Sequence, residues 1–94
     1  EKRLARYGKQ LMKIRYFAWL KEKVGCAEEE ITLPPEVNNV GMLIDWLSTR
    51  GPRYEAAFEF IEVSKVAVNE AYALNDQPIN DDDEIIFFPP IAGG

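Results

Sequence analysis

The residues best suited to do chemistry stand last in the sequence, in the segment 89–94 (PPIAGG), which we call the tail. Its prolines favour an extended direction and its glycines carry no side chain, so the tail is stiff at its base and thin at its tip. Six extended residues reach about 20 Å, which is enough to enter a buried site in another protein. The pattern predicts a terminus that is presented to a partner; the alternative is an ordinary frayed end.

The reactive group at this tip is the α-carboxylate of Gly94. At neutral pH it is an anion, because its pKa is about 3.5, and an anion is a poor electrophile. Adenylation by ATP would give the carboxylate a leaving group, and a sulfur nucleophile could then convert it to a thiocarboxylate. Gly93 would let the tip enter a narrow channel. Because both steps need an enzyme that the sequence does not contain, Gly94 is predicted to be a reactive handle and not a catalyst.

Conventional catalytic groups are scarce in the 94 residues. There is no histidine, and Cys26 is the single cysteine. These counts exclude a Cys/His nucleophile pair, a histidine-containing metal site and an internal disulfide. We interpret Cys26 as a small residue in a turn, with a redox role as the alternative. The acidic run 81–84 is interpreted as a solvated turn, since it lacks the alternate spacing and glycine bend of a calcium loop. We therefore expect neither a metal site nor a bound cofactor.

The composition narrows the classes of partner and compartment. A net charge of −5 and an isoelectric point near 4.7 argue against nucleic-acid binding, which needs clustered lysine and arginine. The sequence has no run of about 18 apolar residues, which excludes a membrane span. No secretory apolar region is visible, so we expect the protein in the cytoplasm.

The length allows one domain, which we place at residues 12–94, after a leader at residues 1–11. The leader (EKRLARYGKQL) is basic and polar, and Met12 could be a natural start. We interpret it as a remnant of cloning or of start-site assignment. A genuine extension and a targeting peptide are the alternatives.

The elements that must position the tail follow from the spacing of apolar residues. One amphipathic helix is predicted from an N-cap at Asn39 through Leu47, and a second over 54–60. A short helical turn is predicted over 20–24, before Gly25. Strands are predicted over 13–18, 28–33, 65–68, 71–74 and 85–88. This order predicts an α+β domain in which one mixed sheet packs on one main helix.

The last strand, 85–88, is apolar on both faces, which is typical of a central strand covered on both sides. Side-chain alternation along the first and last strands defines two faces. One face carries Phe17, Ile86 and Phe88, and the other carries Ile14, Tyr16, Ile85 and Phe87. The main helix can cover one face. We expect another protein to cover the face with Phe17 and Phe88; the alternative cover is the domain's own loops.

Four segments are similar to one known family: 13–18 (KIRYFA), 66–69 (VAVN), 82–84 (DDE) and, most specifically, 87–94 (FFPPIAGG). They resemble the small, sulfur-carrying subunits of molybdopterin synthase, which have the β-grasp, ubiquitin-like fold. The resemblance covers residues 12–94.

The resemblance implies a cycle. An E1-like activating enzyme would adenylate Gly94 with ATP, and a sulfur donor enzyme would convert it to a thiocarboxylate. The tail would then enter the large subunit of molybdopterin synthase and give its sulfur to cyclic pyranopterin monophosphate, during molybdenum cofactor biosynthesis. Acid, base and substrate-binding residues would belong to that large subunit, in an assembly of two small and two large chains. The predicted partner-binding residues are Phe17, Tyr72, Ile86, Phe88, Pro89, Pro90, Ile91 and Ala92.

Other functions need a similar chain. A sulfur carrier for thiazole assembly or tRNA thiolation would share the fold and the terminal glycines. A ubiquitin-like modifier would be joined to lysines of target proteins, and a plain interaction module would need no reactive terminus.

Overall fold

A computed structural model describes residues 11–59 and 64–89 of the chain. The elements follow in the order β1 (Met12–Tyr16), α1 (Trp19–Val24), β2 (Glu28–Ile31), α2 (Val40–Ser48), α3 (Pro52–Ala57), β3 (Lys65–Val68), β4 (Ala71–Tyr72) and β5 (Glu84–Phe88). In this part of the chain, no helix is both long and apolar enough to cross a bilayer.

The five strands form one mixed sheet in the order β2-β1-β5-β3-β4. Strand β1 runs parallel to β5, while β1 and β2, β3 and β5, and β3 and β4 pair antiparallel. The strand that leads to the tail is therefore at the centre, as its two apolar faces predicted. The helices and the mixed sheet form a β-grasp domain, which confirms the predicted α+β class.

Helix α2 packs on the sheet through side chains spaced three and four apart. Val40, Leu43, Ile44 and Leu47 are buried, and they join Ile14, Tyr16, Ile85 and Phe87 in one hydrophobic core. That spacing puts one apolar stripe of a helix toward the sheet. We call the face of the sheet toward α2 the inner face and the opposite one the outer face.

The predicted N-cap of α2 is confirmed. The Asn39 side-chain oxygen accepts a hydrogen bond from the Met42 backbone N–H at 2.8 Å. Asn39→Ala removes this acceptor and is expected to lower the free energy of unfolding by about 1 kcal/mol. Asn38→Ala, at the exposed neighbouring residue, is the control and should change it by less than about 0.5 kcal/mol. Urea denaturation measures both, and equal losses would show that the cap does not stabilise the helix.

Strand ends differ from the prediction where the backbone turns. Strand β1 ends at Tyr16 and not at residue 18, because Ala18 has a φ of 59° and stands at the start of α1. Strand β2 ends at Ile31, two residues earlier than predicted. Strand β4 ends at Tyr72 and not at residue 74, since the Leu74 carbonyl accepts from the Gln77 N–H at 3.0 Å in a turn.

The second predicted helix begins earlier than expected. Helix α3 starts at Pro52, two residues before the predicted start at Tyr54, and ends at Ala57. Proline suits the first helical position because the N–H that it lacks would have no partner there. Phe60, the predicted last residue, lies outside the described residues.

Candidate functional site

The base of the tail continues the central strand β5. Phe88 is the last residue of the strand, and Pro89 follows it with its side chain half-buried. The predicted site residues beyond this point lie outside the described part of the chain: Pro90, Ile91, Ala92, Gly93 and Gly94. The geometry of the site is therefore that of the surface from which the tail leaves.

The predicted alternation of faces is confirmed. On the inner face, Ile14, Tyr16, Ile85 and Phe87 are fully buried. On the outer face, Phe17 is 44% exposed and Tyr72 is 73% exposed, while Ile86 and Phe88 are half-buried. Large apolar side chains with this exposure on one face are typical of a surface that a partner covers.

The four outer residues form one cluster, which we call the docking patch: Phe17, Tyr72, Ile86 and Phe88. Ala67 lies between two of them, since it pairs with Ile86 on one side and with Tyr72 on the other. The rings of Tyr72 and Phe88 stack with centroids 5.8 Å apart and planes at 30°. The structure thus brings all four predicted residues to the same side of the sheet, at the end where the tail leaves.

The other half of the outer face is charged. The Arg15 guanidinium lies 3.7 Å from a carboxylate oxygen of Glu28 and 3.6 Å from one of Glu84, which begins β5. It also lies 5.6 Å from the ring centroid of Phe17. Exposed ion pairs of this kind add little stability. These charges mark where the apolar surface ends, and that surface occupies the half of the outer face nearest the tail.

Beneath the docking patch, three aromatic rings pack on the inner face. Tyr16 stacks on Phe87 with centroids 6.0 Å apart, and Phe58 meets Phe87 edge-on at 5.1 Å. Aromatic pairs in these arrangements add stability beyond the area they bury. Phe87 lies two residues before Pro89, so the base of the tail is anchored to the core from below.

A polar cluster on the same inner face was not predicted from the sequence. The Glu29 carboxylate accepts hydrogen bonds from the hydroxyls of Tyr16 at 2.7 Å and Tyr54 at 2.9 Å, and it pairs with Arg50 at 3.2 Å. The sequence gives one indication of this cluster: side chains alternate between the two faces of β2, which puts Glu29 on the same face as the buried Ile31.

Burial and the Glu29 carboxylate act together on the hydroxyls and on the nearby thiol. Burial, followed by the hydrogen bond to Glu29, raises the pKa of Tyr16 and that of Tyr54, so both stay protonated donors at neutral pH. Burial, followed by the charge of Glu29, also raises the pKa of the Cys26 thiol. A raised thiol pKa means less thiolate, which fits the interpretation of Cys26 as a small residue and not as a redox centre.

The acidic run before β5 forms a turn. The Asp83 carboxylate accepts hydrogen bonds from the Asn80 backbone N–H and from the Asn69 side-chain amide, each at 2.8 Å. Asp81 and Asp82 are exposed. The interpretation of a solvated turn agrees with this geometry. No group of three cysteine, aspartate or glutamate side chains placed to hold a metal ion occurs within residues 11–59 and 64–89.

An open groove of about 1060 Å³ lies between α2 and the strands β3 and β4. Its lining includes the exposed side chains of Met42, Leu74, Asp45 and Asp76. Cys26 is not part of the lining, so the groove brings no thiol nucleophile together with a base. We do not assign the chemistry of the chain to it.

Comparisons with known proteins support the fold, and the region matched by the family includes the tail. Residues 14–94 match the family described as the ThiS family. The chain is 31% identical over 84 residues to the molybdopterin synthase sulfur carrier subunit of Escherichia coli, covering 89% of this chain and 100% of that protein. It is 38% identical over 84 residues to the protein of the same name from Dictyostelium discoideum, covering 87% of this chain and 94% of that protein.

Two solved structures are similar as well. A Pyrococcus furiosus protein assigned as molybdopterin converting factor subunit 1 matches with a TM-score of 0.71 and 31% identity, over 87% of this chain and 99% of that chain. A chain from the complex of subunits 1 and 2 of the Helicobacter pylori molybdopterin-converting factor matches with a TM-score of 0.60 and 23% identity, over 90% of this chain and 100% of that one. The second likeness shows the fold alone.

Proposed function

The chain belongs to the ThiS family, and on that premise we propose that it is the sulfur-carrier small subunit of a molybdopterin synthase. In this proposal an activating enzyme and a sulfur donor enzyme convert the carboxylate of Gly94 to a thiocarboxylate. The tail then delivers the sulfur to cyclic pyranopterin monophosphate in the active site of the large subunit. The proposal places the chain in the cytoplasm.

The observation that carries the proposal is the position of the docking patch relative to the tail. The patch lies on the outer face at the end of β5, and the same strand continues into Pro89. A partner that covers the patch is therefore next to the base of the tail. Tail residues that extend about 20 Å further would reach a site inside that partner.

The chemistry at Gly94 follows from the poor reactivity of a carboxylate. One carboxylate oxygen attacks the α-phosphorus of ATP, so that pyrophosphate leaves and an acyl adenylate forms. A sulfide-equivalent nucleophile from the donor enzyme then displaces AMP. In the large subunit the thiocarboxylate sulfur attacks a carbon of the substrate and displaces an oxygen substituent, which leaves Gly94 bound to the substrate as a thioester. Attack of water on the carbonyl carbon of Gly94 then breaks its carbon–sulfur bond, leaves the sulfur on the substrate and restores the carboxylate. The chain is then a reusable carrier, with ATP consumed by the activating enzyme and no cofactor held by the chain itself.

The proposal also divides the labour between subunits. The side chains of Phe17, Ile86, Phe88 and Pro89 at the tail base carry no group that can act as a general acid or base. Lys65, which pairs with Phe88 on the neighbouring strand, does carry a titratable group. In the proposal, proton transfer and substrate binding belong to the large subunit, in an assembly of two small and two large chains.

Intact mass spectrometry tests the proposal directly. The protein is incubated with ATP, an activating enzyme and a sulfur donor, and we expect its mass to rise by about 16 Da as one oxygen is replaced by sulfur. Addition of the large subunit and cyclic pyranopterin monophosphate should return the mass to its starting value. An unchanged mass, with enzymes that modify a known carrier in parallel, would refute the proposal.

A further inference from the structure

We infer that Glu29 is a positioning residue for the tail, because through Tyr16 it holds the end of β5 from which the tail leaves. This inference rests on the proposed function and adds to it a group remote from the reacting atoms. It assigns a role to the polar cluster of the inner face, which neither the docking patch nor the tip of the tail requires.

The Glu29 carboxylate is held by three side chains. Its side chain is 16% exposed, and it receives two hydroxyl donors and one guanidinium. The Arg50 guanidinium itself lies over two rings, 5.2 Å from the centroid of Trp46 and 4.8 Å from that of Tyr54. Hydrogen bonds to a charged acceptor are shorter and stronger than neutral ones. The carboxylate is thus fixed to the helices α2 and α3 on one side.

Contacts of Tyr16 join Glu29 to the strand that carries the tail. The hydroxyl of Tyr16, whose side chain is fully buried, donates to Glu29 at 2.7 Å. The ring of Tyr16 stacks on Phe87, and the N–H of the next residue, Phe17, donates to the Phe87 carbonyl at 3.1 Å. Tyr16 therefore connects the polar cluster to Phe87 of β5, which lies two residues before Pro89. Phe17, the next residue along the chain from Tyr16, belongs to the docking patch.

The direction of the chain at Pro89 affects which point the tip of the tail can reach. A change of about 10° in the direction of the chain at Pro89 would move the tip of a tail about 20 Å long by about 3 Å. A displacement of about 1 Å from the reactive geometry can lower the rate of a reaction by about 100-fold. Ile86 and Phe88 of the docking patch would turn with the strand, but Phe17 and Tyr72 lie outside β5 and would keep their places. Loss of the Glu29 contact should therefore slow sulfur transfer at saturation by more than it raises the concentration of large subunit needed for half-saturation.

The tyrosines provide a matched pair of variants. Tyr16→Phe and Tyr54→Phe each remove one hydroxyl that donates to the same carboxylate, but the Tyr16 ring stacks on Phe87. The assay is single-turnover sulfur transfer from the purified thiocarboxylate form to cyclic pyranopterin monophosphate, with the large subunit varied. For Tyr16→Phe we expect the rate at saturation to fall about 10-fold, with the half-saturating concentration within about twofold of the unmodified chain. For Tyr54→Phe both values should stay within about twofold.

A merely structural role predicts a different outcome. In that case the two variants would lose stability but keep the same rate at saturation, at a temperature where both are folded, and the inference would be overturned. Equal slowing by both variants would overturn it too, because it would not depend on the contact with Phe87. If Tyr16→Phe does not fold, Glu29→Gln takes its place in the same assay, with the same expected values.

Hydrogen exchange on the free chain separates this inference from the proposed function. Faster exchange of the amides of residues 86–88 in Tyr16→Phe, but not in Tyr54→Phe, is the expected result. If the unmodified thiocarboxylate form transfers no sulfur, the proposed function fails, and exchange alone then decides whether the cluster holds β5. Identical exchange in both variants would exclude the positioning role.

Discussion

A chain that ends at Gly93 is expected to lose at least about 100-fold in the rate of sulfur transfer, which makes removal of Gly94 the most damaging single change we predict. One extended residue spans about 3.3 Å, so the shortened tail would hold its carboxyl carbon that far from the reacting groups. The shortening also puts Ala92 next to the terminal residue, where its Cβ would have to pass the channel that glycine is expected to fit. Intact mass after activation and single-turnover transfer measure the two steps separately.

The control for this truncation is at the other end of the chain. A chain that begins at Met12, the first residue of β1, should transfer sulfur at the rate of the full chain, because the leader is predicted to lie outside the domain. Full sulfur transfer without Gly94 would show that Gly94 does not carry the sulfur. A plain interaction module would transfer no sulfur with or without Gly94 and would bind its partner equally well in both forms. A ubiquitin-like modifier would instead appear as covalent adducts on denaturing gels, and these too would need Gly94.

The docking patch could be predicted from the sequence because a strand alternates its side chains with a period of two. Phe17, Ile86 and Phe88 were expected on one face, and the parallel register of β1 with β5, in which Arg15 pairs with Ile86, puts them there. The position of β5 at the centre followed from its apolar faces in the same way. These inferences needed only local spacing and the rule that apolar faces are covered.

The Glu29 cluster could not be predicted by the same means. Its donors, Arg50 and Tyr54, lie 21 and 25 residues further along the chain, and they reach the carboxylate only because α2 and α3 meet at a tight turn. In the sequence, Glu29 stands between two other glutamates and looks like part of an exposed acidic segment. Tyr16 was expected in the core, but nothing local to it indicated a charged acceptor for its hydroxyl.

Strand and helix ends were missed for a related reason. The end of β1 is set by the positive φ of Ala18, a conformation that favours glycine and that alanine rarely adopts. Local propensity indicated a longer strand there, and tertiary packing prevailed over it. The start of α3 at Pro52 was missed because the helix was predicted from the spacing of apolar residues over 54–60, which takes no account of proline as a first helical residue.

Phe88→Ala is expected to weaken binding of the large subunit by about 2 kcal/mol, which is about 30-fold in the dissociation constant. Phe88 is the residue of the docking patch nearest the tail, and its ring stacks on that of Tyr72 at the edge of the sheet. Truncation removes an aromatic ring from the patch and also leaves Tyr72 without its stacking partner. Aromatic anchors in such positions carry much of the binding energy of an interface. Isothermal titration calorimetry with the large subunit measures the effect.

Met42→Ala is the matched control, because Met42 is also a partly exposed apolar residue, 37% exposed, but lies on α2, on the other side of the sheet. It should change the dissociation constant by less than about twofold. Equal weakening by both variants would point to a general loss of stability, which denaturation of each variant alone would reveal. Unchanged binding by Phe88→Ala would refute the assignment of the docking patch as the surface that binds the large subunit. Because the patch and the tail share β5, a weakened patch with an intact Gly94 should raise the concentration of large subunit needed for transfer without lowering the rate at saturation.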